Sequence, residues 1–413
     1  MSAKLVNQIT FGNDNWCLEL KPLYSRGLLC SSSNGSVNLI DWNSPSIIKK
    51  FEVGETNINS LRVINNDFEN GCIFAATSLA SVKIYDVRNG DSPVATIKND
   101  KNSVFLSLES RHDMLVCGTE LTGVDAEMFI YDVRYFSKPV RAFVDSHHDD
   151  ITDIKFHPSD KNILLSGSTD GYTNIYDLAQ EDEDEALHQV INYASIHSCG
   201  WLSPKRIYTL SHMETFAIHE LNDKSDELTE PRPLDFGDIR GQWDCDYVVD
   251  LYPGYVAMGK SAENAGELKI CGFENEIMNT ENHIIIPNAH GDEVIRDVFI
   301  PPGNLNNHSD IIYSCGEDGN VNIWHAPRCS SILNVSKDFW NATEQLDVLS
   351  DDYNMLVGRN NEQYGENSEI KKHIKPLMIT KKSRNIKAKN INRNVIKTNT
   401  PQRLVLNLIR ICL

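Results

Sequence analysis

The sequence predicts an all-β fold, a seven-bladed β-propeller over residues 1–340, followed by a C-terminal extension over residues 341–413. Two observations carry this prediction. Residues 146–178 show the strand and turn signals of one small antiparallel sheet, and the first apolar residue of such a unit recurs at nearly constant intervals. A sheet that is apolar on both faces cannot bury them alone, so it must stack against copies of itself.

Residues 146–178 illustrate how one unit is specified. Apolar residues between Ile151 and Phe156 supply a first strand, and Pro158 begins the turn that ends it. Residues 163–166 supply a second strand. The pair Asp170-Gly171 is a hairpin signal because such turns need positive φ, and it leads into a third strand around residues 174–176.

Residues 289–325 repeat this pattern. His290 stands four residues before Val294, as His147 stands four residues before Ile151. The pattern resembles the WD-repeat β-propeller family, whose repeat carries a His before the first strand, a Ser or Thr on the second, an Asp in the next turn and a Trp on the third. The resemblance implies that these four side chains hydrogen-bond in a row. The row is complete at His290, Ser314, Asp318 and Trp324 and nearly complete at His147, Ser166, Asp170 and Tyr176.

The spacing of the units predicts their number. The first apolar positions of the innermost strands are Trp16, Ile58, Val104, Ile151, Ile196, Val248 and Val294. They are separated by 42, 46, 47, 45, 52 and 46 residues. This period is close to that of one WD blade, so it favours seven blades over a β-sandwich.

The individual blades differ in how clearly they are marked. Blade one turns at Asn34-Gly35, and blades two and three both end a strand with Tyr-Asp-Val-Arg. In blade four, the acidic run 181–185 precedes the outer strand. Blade five is degenerate because its three strand-like segments, 196–201, 207–210 and 216–221, lack a Gly turn, and the polar residues 222–230 delay its outer strand. Blade six has an insertion at 262–266, and blade seven spans 294–324.

A ring of sheets must be closed, because two open edges would otherwise meet without hydrogen bonds. Residues 4–10 precede the first blade and have apolar positions suited to a strand. We expect them to pair with the third strand of blade seven, which is the closure common in the family that the chain resembles. Residues 332–335 are the competing choice.

The composition favours an intracellular protein with a divided charge. No apolar run is long enough to span a membrane, and the N-terminus lacks a signal peptide. The ten cysteines form no Cys-x-x-Cys pair, so we interpret them as buried reduced thiols. The net charge of -19 divides into -31 over residues 1–370 and +12 over residues 371–413, where twelve Lys or Arg occur without an acidic residue.

No catalytic motif is present, so we expect no enzyme activity and no cofactor. The sequence contains no Gly-x-Ser-x-Gly, no Gly-rich phosphate loop that opens a helix and no His-Glu-x-x-His. His147, His148, Asp149 and Asp150 offer groups that bind metals, but His147 already has a structural role in the repeat and adjacent side chains point in different directions. We therefore expect no metal site.

The Tyr-Asp-Val-Arg boxes suggest one alternative function. They resemble the Trp-Asp-x-Arg boxes of WD-repeat substrate receptors for cullin-type ubiquitin ligases, in which the Arg helps to engage the ligase adaptor. The matching residues are Arg88 and Arg134, although Tyr replaces Trp in both boxes. An Arg at this position also pairs with nearby carboxylates in ordinary blades, and we favour that structural interpretation.

The distribution of charged residues along the chain suggests the remaining functional interpretations. The run 181–185 is expected to be a solvated loop, and a body of charge -31 is a poor candidate for direct nucleic-acid binding. Residues 371–413 have the composition of a disordered basic tail, in which residues 404–413 could form a short amphipathic helix. This tail could be a nuclear import signal, bind RNA nonspecifically in ribosome biogenesis or another RNA-associated role, or fold back on the acidic propeller, and these alternatives stay open.

The overall layout also resembles the group of WD repeat-containing protein 89 and its fungal relatives. The residues behind this are the boxes in blades two and three, the start of blade four, Cys199 to Leu202, and the start of blade seven. The resemblance suggests a nuclear location, with the cytoplasm as the alternative. We expect a noncatalytic scaffold, monomeric by itself, that binds a protein or a basic or polar peptide through its loops. The candidate contact residues are Asp149, Asp150, Asp292 and Glu293.

Overall fold

The computed structural model describes residues 3–12, 14–64, 71–223, 232–261, 266–303 and 309–350. In this part of the chain, seven antiparallel sheets of four strands each form the blades of a propeller. The predicted basic tail, the short helix considered over 404–413, and most of the polar segment 222–230 and of the insertion 262–266 lie outside the described residues. No described helix is long and apolar enough to cross a membrane.

The strands of the first four blades follow the chain order, after an N-terminal strand that belongs to the seventh. That strand is β1 (Lys4–Thr10). Blade one contains β2 (Cys17–Leu23), β3 (Gly27–Ser32), β4 (Ser36–Asp41) and β5 (Ile47–Glu52). Blade two contains β6 (Leu61–Ile64), β7 (Ile73–Ser78), β8 (Ser81–Asp86) and β9 (Ala95–Lys98). Blade three contains β10 (Phe105–Arg111), β11 (Met114–Thr119), β12 (Ala126–Asp132) and β13 (Arg141–His147). Blade four contains β14 (Ile151–Phe156), β15 (Ile163–Ser168), β16 (Tyr172–Asp177), the short helix α1 (Glu183–Ala186) and β17 (Leu187–Asn192).

The last three blades complete the ring. Blade five contains β18 (Ile196–Ser203), β19 (Arg206–Ser211), β20 (Thr215–Glu220) and β21 (Leu234–Asp238). The helix α2 (Arg240–Trp243) leads into blade six, which contains β22 (Tyr247–Tyr252), β23 (Gly254–Gly259), β24 (Leu268–Glu274) and β25 (Ile277–Ile286). Blade seven contains β26 (Ile295–Phe299), β27 (Ile311–Gly316) and β28 (Asn320–His325), and the helix α3 (Cys329–Ile332) follows it.

The ring is closed by the N-terminal strand. β1 pairs antiparallel with β28, with Leu5 opposite Trp324 and Thr10 opposite Asn320. This is the arrangement that the sequence favoured. The competing segment does not form a strand, because residues up to Ile332 are helical and Leu333 is buried below blades six and seven.

The hydrophobic core lies between neighbouring blades. The second strands β3, β15 and β23 are buried along their whole length, because each is covered by a blade on both sides. Between blades one and two, the rings of Phe51, Phe74 and Tyr85 pack with centroids 5.0 to 5.4 Å apart. Burial of each such side chain contributes about 1.5–3 kcal/mol. The nine described cysteines are buried and unpaired.

A ring of polar contacts joins the first strands of all seven blades near the axis. Each junction is crossed by at least one hydrogen bond that involves a side chain of a first strand. From blade one to blade four, Glu19 accepts from the Leu61 N–H, Arg62 donates to Glu109 (3.3 Å) and Ser107 donates to the Ile151 carbonyl (2.8 Å). From blade four to blade six, Asp153 accepts from the Cys199 N–H (3.1 Å) and Ser198 donates to Asp250 (2.8 Å). Tyr252 of blade six donates to Asp297 of blade seven (2.6 Å), which accepts from the Leu20 N–H of blade one (2.8 Å) and so completes the ring.

The two faces of the ring are built from different loops. We call upper the face that carries the loops before each first strand, and lower the face that carries the turns after each first strand. The hairpin between the second and third strands lies on the upper face, since the N–H of Thr169 bonds the carbonyl of Asp150. The link that follows a third strand lies on the lower face, since the N–H of Val133 bonds the carbonyl of Asp113.

Residues 326–350 cross the lower face and are called here the C-terminal strap. The strap leaves blade seven, and the N–H of Ser336 bonds the carbonyl of Pro253 in blade six. Asp338 forms an ion pair with Arg111 in blade three at 2.8 Å. Trp340 donates to Ser159 at 3.0 Å, and further along Val348 and Leu349 are buried between blades four and five. The part of the predicted extension that the structure describes, residues 341–350, is therefore packed against the propeller.

Candidate functional site

The repeat network predicted for blades four and seven is formed in both. His147 lies 2.9 Å from Asp170 through Nδ1 and 2.7 Å from Ser166 through Nε2, while the Ser166 and Tyr176 hydroxyls are 3.4 Å apart. In blade seven the corresponding distances from His290 to Asp318 and Ser314 are 2.8 and 2.7 Å. The indole of Trp324 donates to Ser314 at 2.9 Å.

The carboxylates of these networks are held ionised. Burial of Asp170 and Asp318 would by itself raise the pKa of each carboxyl. Hydrogen bonds from the neighbouring His and from backbone N–H groups outweigh burial, so the pKa of both carboxyls lies below its usual value. These side chains fix the loops on the upper face and are enclosed by the repeat, so they position a surface and do not form it.

Blade five retains a related pair that the sequence pattern did not reveal. Thr209 occupies the place of Ser166 on the second strand, and His219 occupies the place of Tyr176 on the third. The Thr209 hydroxyl lies 3.0 Å from Nε2 of His219. Burial lowers the pKa of His219 to about 4, so the imidazole is neutral at pH 7. Since this His stands on the third strand and not in the loop before the first strand, the order of the repeat residues did not reveal it.

The predicted residues in the loop that opens blade four differ in their contacts. Asp150 accepts from the N–H of Leu121, so its carboxylate ties the loop to blade three. Asp149 accepts from the N–H of Asp150 and is half-buried. His148 is exposed, and its Nδ1 lies 2.8 Å from Asp125. Asp125, Asp145 and His148 place ligand atoms within 4.8 Å of one another, a grouping that differs from the His147 to Asp150 run considered in the sequence.

Four carboxylates of blades seven, one and two form what we call the acidic patch of the upper face. The patch consists of Asp14, Glu55, Asp292 and Glu293, all exposed and none in an ion pair within the described residues. The loops that carry them are linked through the hairpins of blades seven and one. The hairpin of blade seven bonds both neighbouring loops, through Glu317 N–H to the Val294 carbonyl and through Phe11 N–H to the Gly319 carbonyl. The hairpin of blade one does the same, through Ser33 N–H to the Trp16 carbonyl and through Gly54 N–H to the Gly35 carbonyl. Of the predicted contact residues, Asp292 and Glu293 belong to this patch.

Several other charged groups on the upper face form ion pairs. Asp244 pairs with Lys260 at 3.0 Å, Arg240 with Asp238 at 2.6 Å and Lys101 with Glu127 at 3.1 Å. The four carboxylates of the acidic patch have no such partner in the described part of the chain, so the patch offers negative charge to a basic ligand.

Arg88 and Arg134 lie on the lower face and are already engaged. Arg88 binds both oxygens of Asp86, with Nε 2.9 Å from Oδ1 and Nη2 2.7 Å from Oδ2. Arg134 binds Asp132 in the same way, at 2.8 and 2.5 Å. Hydrogen bonds from the two guanidinium groups lower the pKa of both Asp carboxyls, that of Asp132 to about 2. Each Arg thus closes its own turn, although both guanidinium groups remain solvent-exposed.

The acidic run 181–185 is more ordered than the solvated loop expected from the sequence. Asp182 caps α1 by accepting from the N–H groups of Asp184 and Glu185. Glu183 accepts from the N–H groups of Val144 and Asp145 at 2.9 and 3.1 Å and from the Ser146 hydroxyl at 2.6 Å. The run therefore fastens the outer strand of blade three to blade four, a role that no local sequence signal showed.

A cavity of about 590 Å³ occupies the lower part of the central channel. All seven first strands contribute to its wall, and residues 335–339 of the strap cover part of its lower mouth. Among its lining residues are Lys21, Arg62, Glu109, Lys155 and Asp250. The cavity has the size of a small-molecule pocket, but its charged lining differs from the apolar lining typical of such sites.

Comparison with known proteins identifies relatives over most of the chain. The WD domain, G-beta repeat family matches residues 137–177 and 282–325. A WD repeat-containing protein of Saccharomyces cerevisiae is 58% identical over 351 residues, which cover 85% of this chain and 88% of that protein. The WD repeat-containing protein 89 homolog of Dictyostelium discoideum is 28% identical over 349 residues, covering 81% of this chain and 90% of that protein.

Solved structures show the same architecture. The crystal structure of the β-propeller domain of Cps50 (Swd1) from Myceliophthora thermophila matches 78% of this chain and 99% of that chain with a TM-score of 0.57. The sequence identity is 16%, so the likeness concerns the fold alone.

Proposed function

Since the chain belongs to the WD-repeat β-propeller family, whose members generally act as protein-interaction scaffolds and are typically noncatalytic, we propose that it is a noncatalytic scaffold that binds a basic segment of a partner protein on its upper face. The observation that carries this proposal is the acidic patch, four exposed carboxylates on three consecutive blades without cationic partners among the described residues. A Lys- or Arg-containing segment would supply the missing charge.

The strap supports the choice of face. It crosses the lower face from blade seven to the junction of blades four and five and buries Leu333, Val348 and Leu349 there. A partner that used the same part of the lower face would first have to displace these contacts. The upper face carries no comparable cover within the described residues.

The test replaces charge on one face at a time. Asp292→Lys with Glu293→Lys reverses half of the acidic patch, whereas Glu220→Lys with Glu274→Lys makes the same change in net charge at exposed positions at the lower ends of β20 and β24. Each tagged full-length chain is expressed, and its partners are identified by mass spectrometry. We expect specific partners to be retained by the wild type and the lower-face variant and lost from the upper-face variant. Equal retention by all three chains rejects the upper face as the binding site.

A substrate receptor of a cullin-type ubiquitin ligase remains the second candidate, because Arg88 and Arg134 are exposed on the lower face at equivalent positions of adjacent blades. Arg88→Ala with Arg134→Ala should abolish capture of a ligase adaptor if they serve that role and leave scaffold partners unchanged if they do not. We propose a nuclear location, which microscopy of a fluorescent fusion tests directly. The same fusion lacking residues 371–413 tests whether the basic tail directs import.

A further inference from the structure

The hairpins between the second and third strands differ in what they present on the upper face. Blades one, four and seven carry Asn34-Gly35, Asp170-Gly171 and Asp318-Gly319, polar pairs in which Gly supplies the positive φ of a tight turn. Blades two and three instead present the apolar side chains of Leu79 and Val124, which are 54% and 77% exposed. We call these two side chains the apolar tips.

The turn that carries Leu79 would be more favourable with another residue. Ser78 is opposite Ser81, so Leu79 and Ala80 are the two central residues of the turn. Of these two, only Leu79 has a positive φ, +50°, and a turn of this type favours Gly at that position. A bulky side chain is strained there, and its exposure to water adds a second cost. A contact outside the chain explains why Leu is present.

Val124 lies at the tip of a longer hairpin. Thr122 forms a bridge with Asp125, and Gly123, with a φ of +88°, supplies the positive φ of the turn between them. The turn is therefore satisfied by Gly123, and the next position could carry one of the polar residues that turns prefer. Val124 is instead the most exposed large apolar residue of the described part of the chain.

The hairpin of blade two adjoins the acidic patch. Gly54 precedes Glu55 of the patch and packs on this hairpin, because a Cβ at Gly54 would lie 2.2 Å from Oγ of Ser78. The same hairpin is bonded to the start of its own blade, since the Thr77 N–H donates to the Ser60 carbonyl. The residue before Leu79 is therefore in contact with the loop that carries part of the patch.

The start of blade three connects the two apolar tips. The Phe105 N–H bonds the carbonyl of Leu79, and the Glu120 N–H bonds the carbonyl of Val104. Both hairpins are thus attached to neighbouring residues of one loop. The surface runs from the acidic patch of blades seven, one and two through Leu79 to the hairpin that carries Val124.

The charge around the apolar tips restricts what can cover them. Asp125 follows Val124 directly, and its carboxylate lies within 4.8 Å of the carboxylate of Asp145. An anionic membrane or a second copy of the same face would bring like charges together on this surface. A protein segment with both basic and apolar side chains suits the carboxylates and the apolar tips at once.

We infer that the segment bound on the upper face is amphipathic, with basic side chains on the acidic patch and bulky apolar side chains on the apolar tips. This inference rests on the proposed function, because it names the chemistry of the segment which that function requires. The basic side chains attract and orient the segment, and apolar contact with Leu79 and Val124 removes water from both partners.

The test uses peptides selected from a random library, displayed on phage, on the immobilised full-length chain. An enriched peptide is labelled, and its affinity for each variant is measured by fluorescence polarisation. Leu79→Gly with Val124→Ser removes the apolar tips. The control, Met213→Ser with Ile277→Ser, removes two apolar side chains of similar exposure, 64% and 69%, from the hairpin of blade five and from the lower face of blade six.

We expect the enriched peptides to combine Lys or Arg with large apolar residues. Their affinity should fall about ten-fold or more in the tip variant, because truncated apolar anchors at the centre of an interface have effects of this size. It should stay unchanged in the control. Equal affinity for the tip variant and the control overturns the inference.

Thermal unfolding separates a contact made by Leu79 from a structural role. Gly suits the positive φ at position 79, so Leu79→Gly should leave the Tm unchanged or raise it. Loss of peptide affinity at an undiminished Tm assigns Leu79 to the contact. A lower Tm shows that the side chain stabilises the hairpin and contradicts the inference.

Charge reversal by Asp292→Lys with Glu293→Lys distinguishes this inference from the proposed function. Loss of affinity in that variant but not in the tip variant leaves the scaffold proposal standing and overturns the apolar contact. Loss in the tip variant alone rejects the basic segment and the proposed function with it. No saturable peptide binding overturns the inference, as does tip-dependent dimerisation in light scattering or tip-dependent sedimentation with phosphatidylserine vesicles, while partner capture still tests the proposed function.

Discussion

Asp297 is the residue whose loss should most weaken the closed ring. Its carboxylate joins three blades, because it accepts from the Tyr252 hydroxyl in blade six at 2.6 Å and from the Leu20 N–H in blade one at 2.8 Å. It also lies 3.2 Å from Nζ of Lys21. Burial would lower the pKa of Lys21, but Asp297 and Glu19 outweigh burial and raise it, so Lys21 remains charged at neutral pH.

Asp297→Ala leaves Lys21 with only Glu19, at 3.7 Å, and deprives two buried donors of their acceptor. Removing one partner of a buried ion pair typically costs about 3–5 kcal/mol, and each unsatisfied buried donor costs about 1–3 kcal/mol. Because these losses overlap and Glu19 remains, we expect a decrease in the free energy of unfolding of about 3–5 kcal/mol. Asp297→Asn keeps an acceptor oxygen but loses the charge, so it should be intermediate.

Urea unfolding followed by tryptophan fluorescence measures these changes as shifts of the transition midpoint at constant slope. Asp86→Ala is the control, since it removes a carboxylate whose partner Arg88 is exposed and whose pairing is screened by water. The reasoning is refuted if Asp297→Ala shifts the midpoint no more than Asp86→Ala does, or if Asp297→Asn is as damaging as Asp297→Ala.

Three further predictions concern other parts of the fold. Trp340→Ala should lower the free energy of unfolding by about 1–3 kcal/mol, which is less than the loss of a fully buried Trp would cost, because Trp340 is half-buried. The same substitution should speed proteolysis within the strap, which gel analysis of a limited digest measures. Asp318→Asn should destabilise the chain at pH 7, because the pKa of Asp318 is lowered in the folded state. The difference in free energy of unfolding between this variant and the wild type, measured by urea titration, should shrink as the pH falls below about 3.9. Gly319→Ala should cost about 1–3 kcal/mol in thermal unfolding, since its φ is +72° and a Cβ would lie 2.1 Å from the carbonyl oxygen of Gly12, whereas Gly90→Ala, with no atom within 4 Å, should be nearly neutral.

The blades could be predicted because each is specified by local signals. Apolar strand residues such as Ile151 and Ile196 recur at the period of one blade, and Gly35 and Gly171 provide the positive φ that the hairpins need. Even blade five keeps its strands, although its hairpin uses Glu214 at positive φ instead of a Gly. Periodicity therefore suffices to locate strands, and turn chemistry only sharpens their bounds.

The strap could not be predicted in the same way. Its buried residues, among them Leu333, Val348 and Leu349, are unevenly spaced and lie in a polar stretch without strand periodicity. Their burial depends on grooves that exist only after blades four to seven have assembled. The charges of the channel posed the same difficulty, because Arg62 and Lys155 stand at alternating positions typical of solvent-exposed strand residues. Only closure of the ring turns that solvated side inward.

The same closure explains why the carboxylates of the upper face and those of the channel differ in chemistry. Carboxylates on the upper face, such as Asp292, remain in water, where their charge costs little and acts mainly by attracting and orienting a partner. Asp250 is enclosed in the channel, where the Ser198 hydroxyl donates to its carboxylate at 2.8 Å and burial raises the pKa of the carboxyl. Salt should therefore weaken binding at the acidic patch strongly, because exposed charges are screened over about 8 Å at physiological ionic strength. Pull-down of partners by the full-length chain at two salt concentrations measures this effect, and retention that does not change with salt would contradict a contact through Asp292.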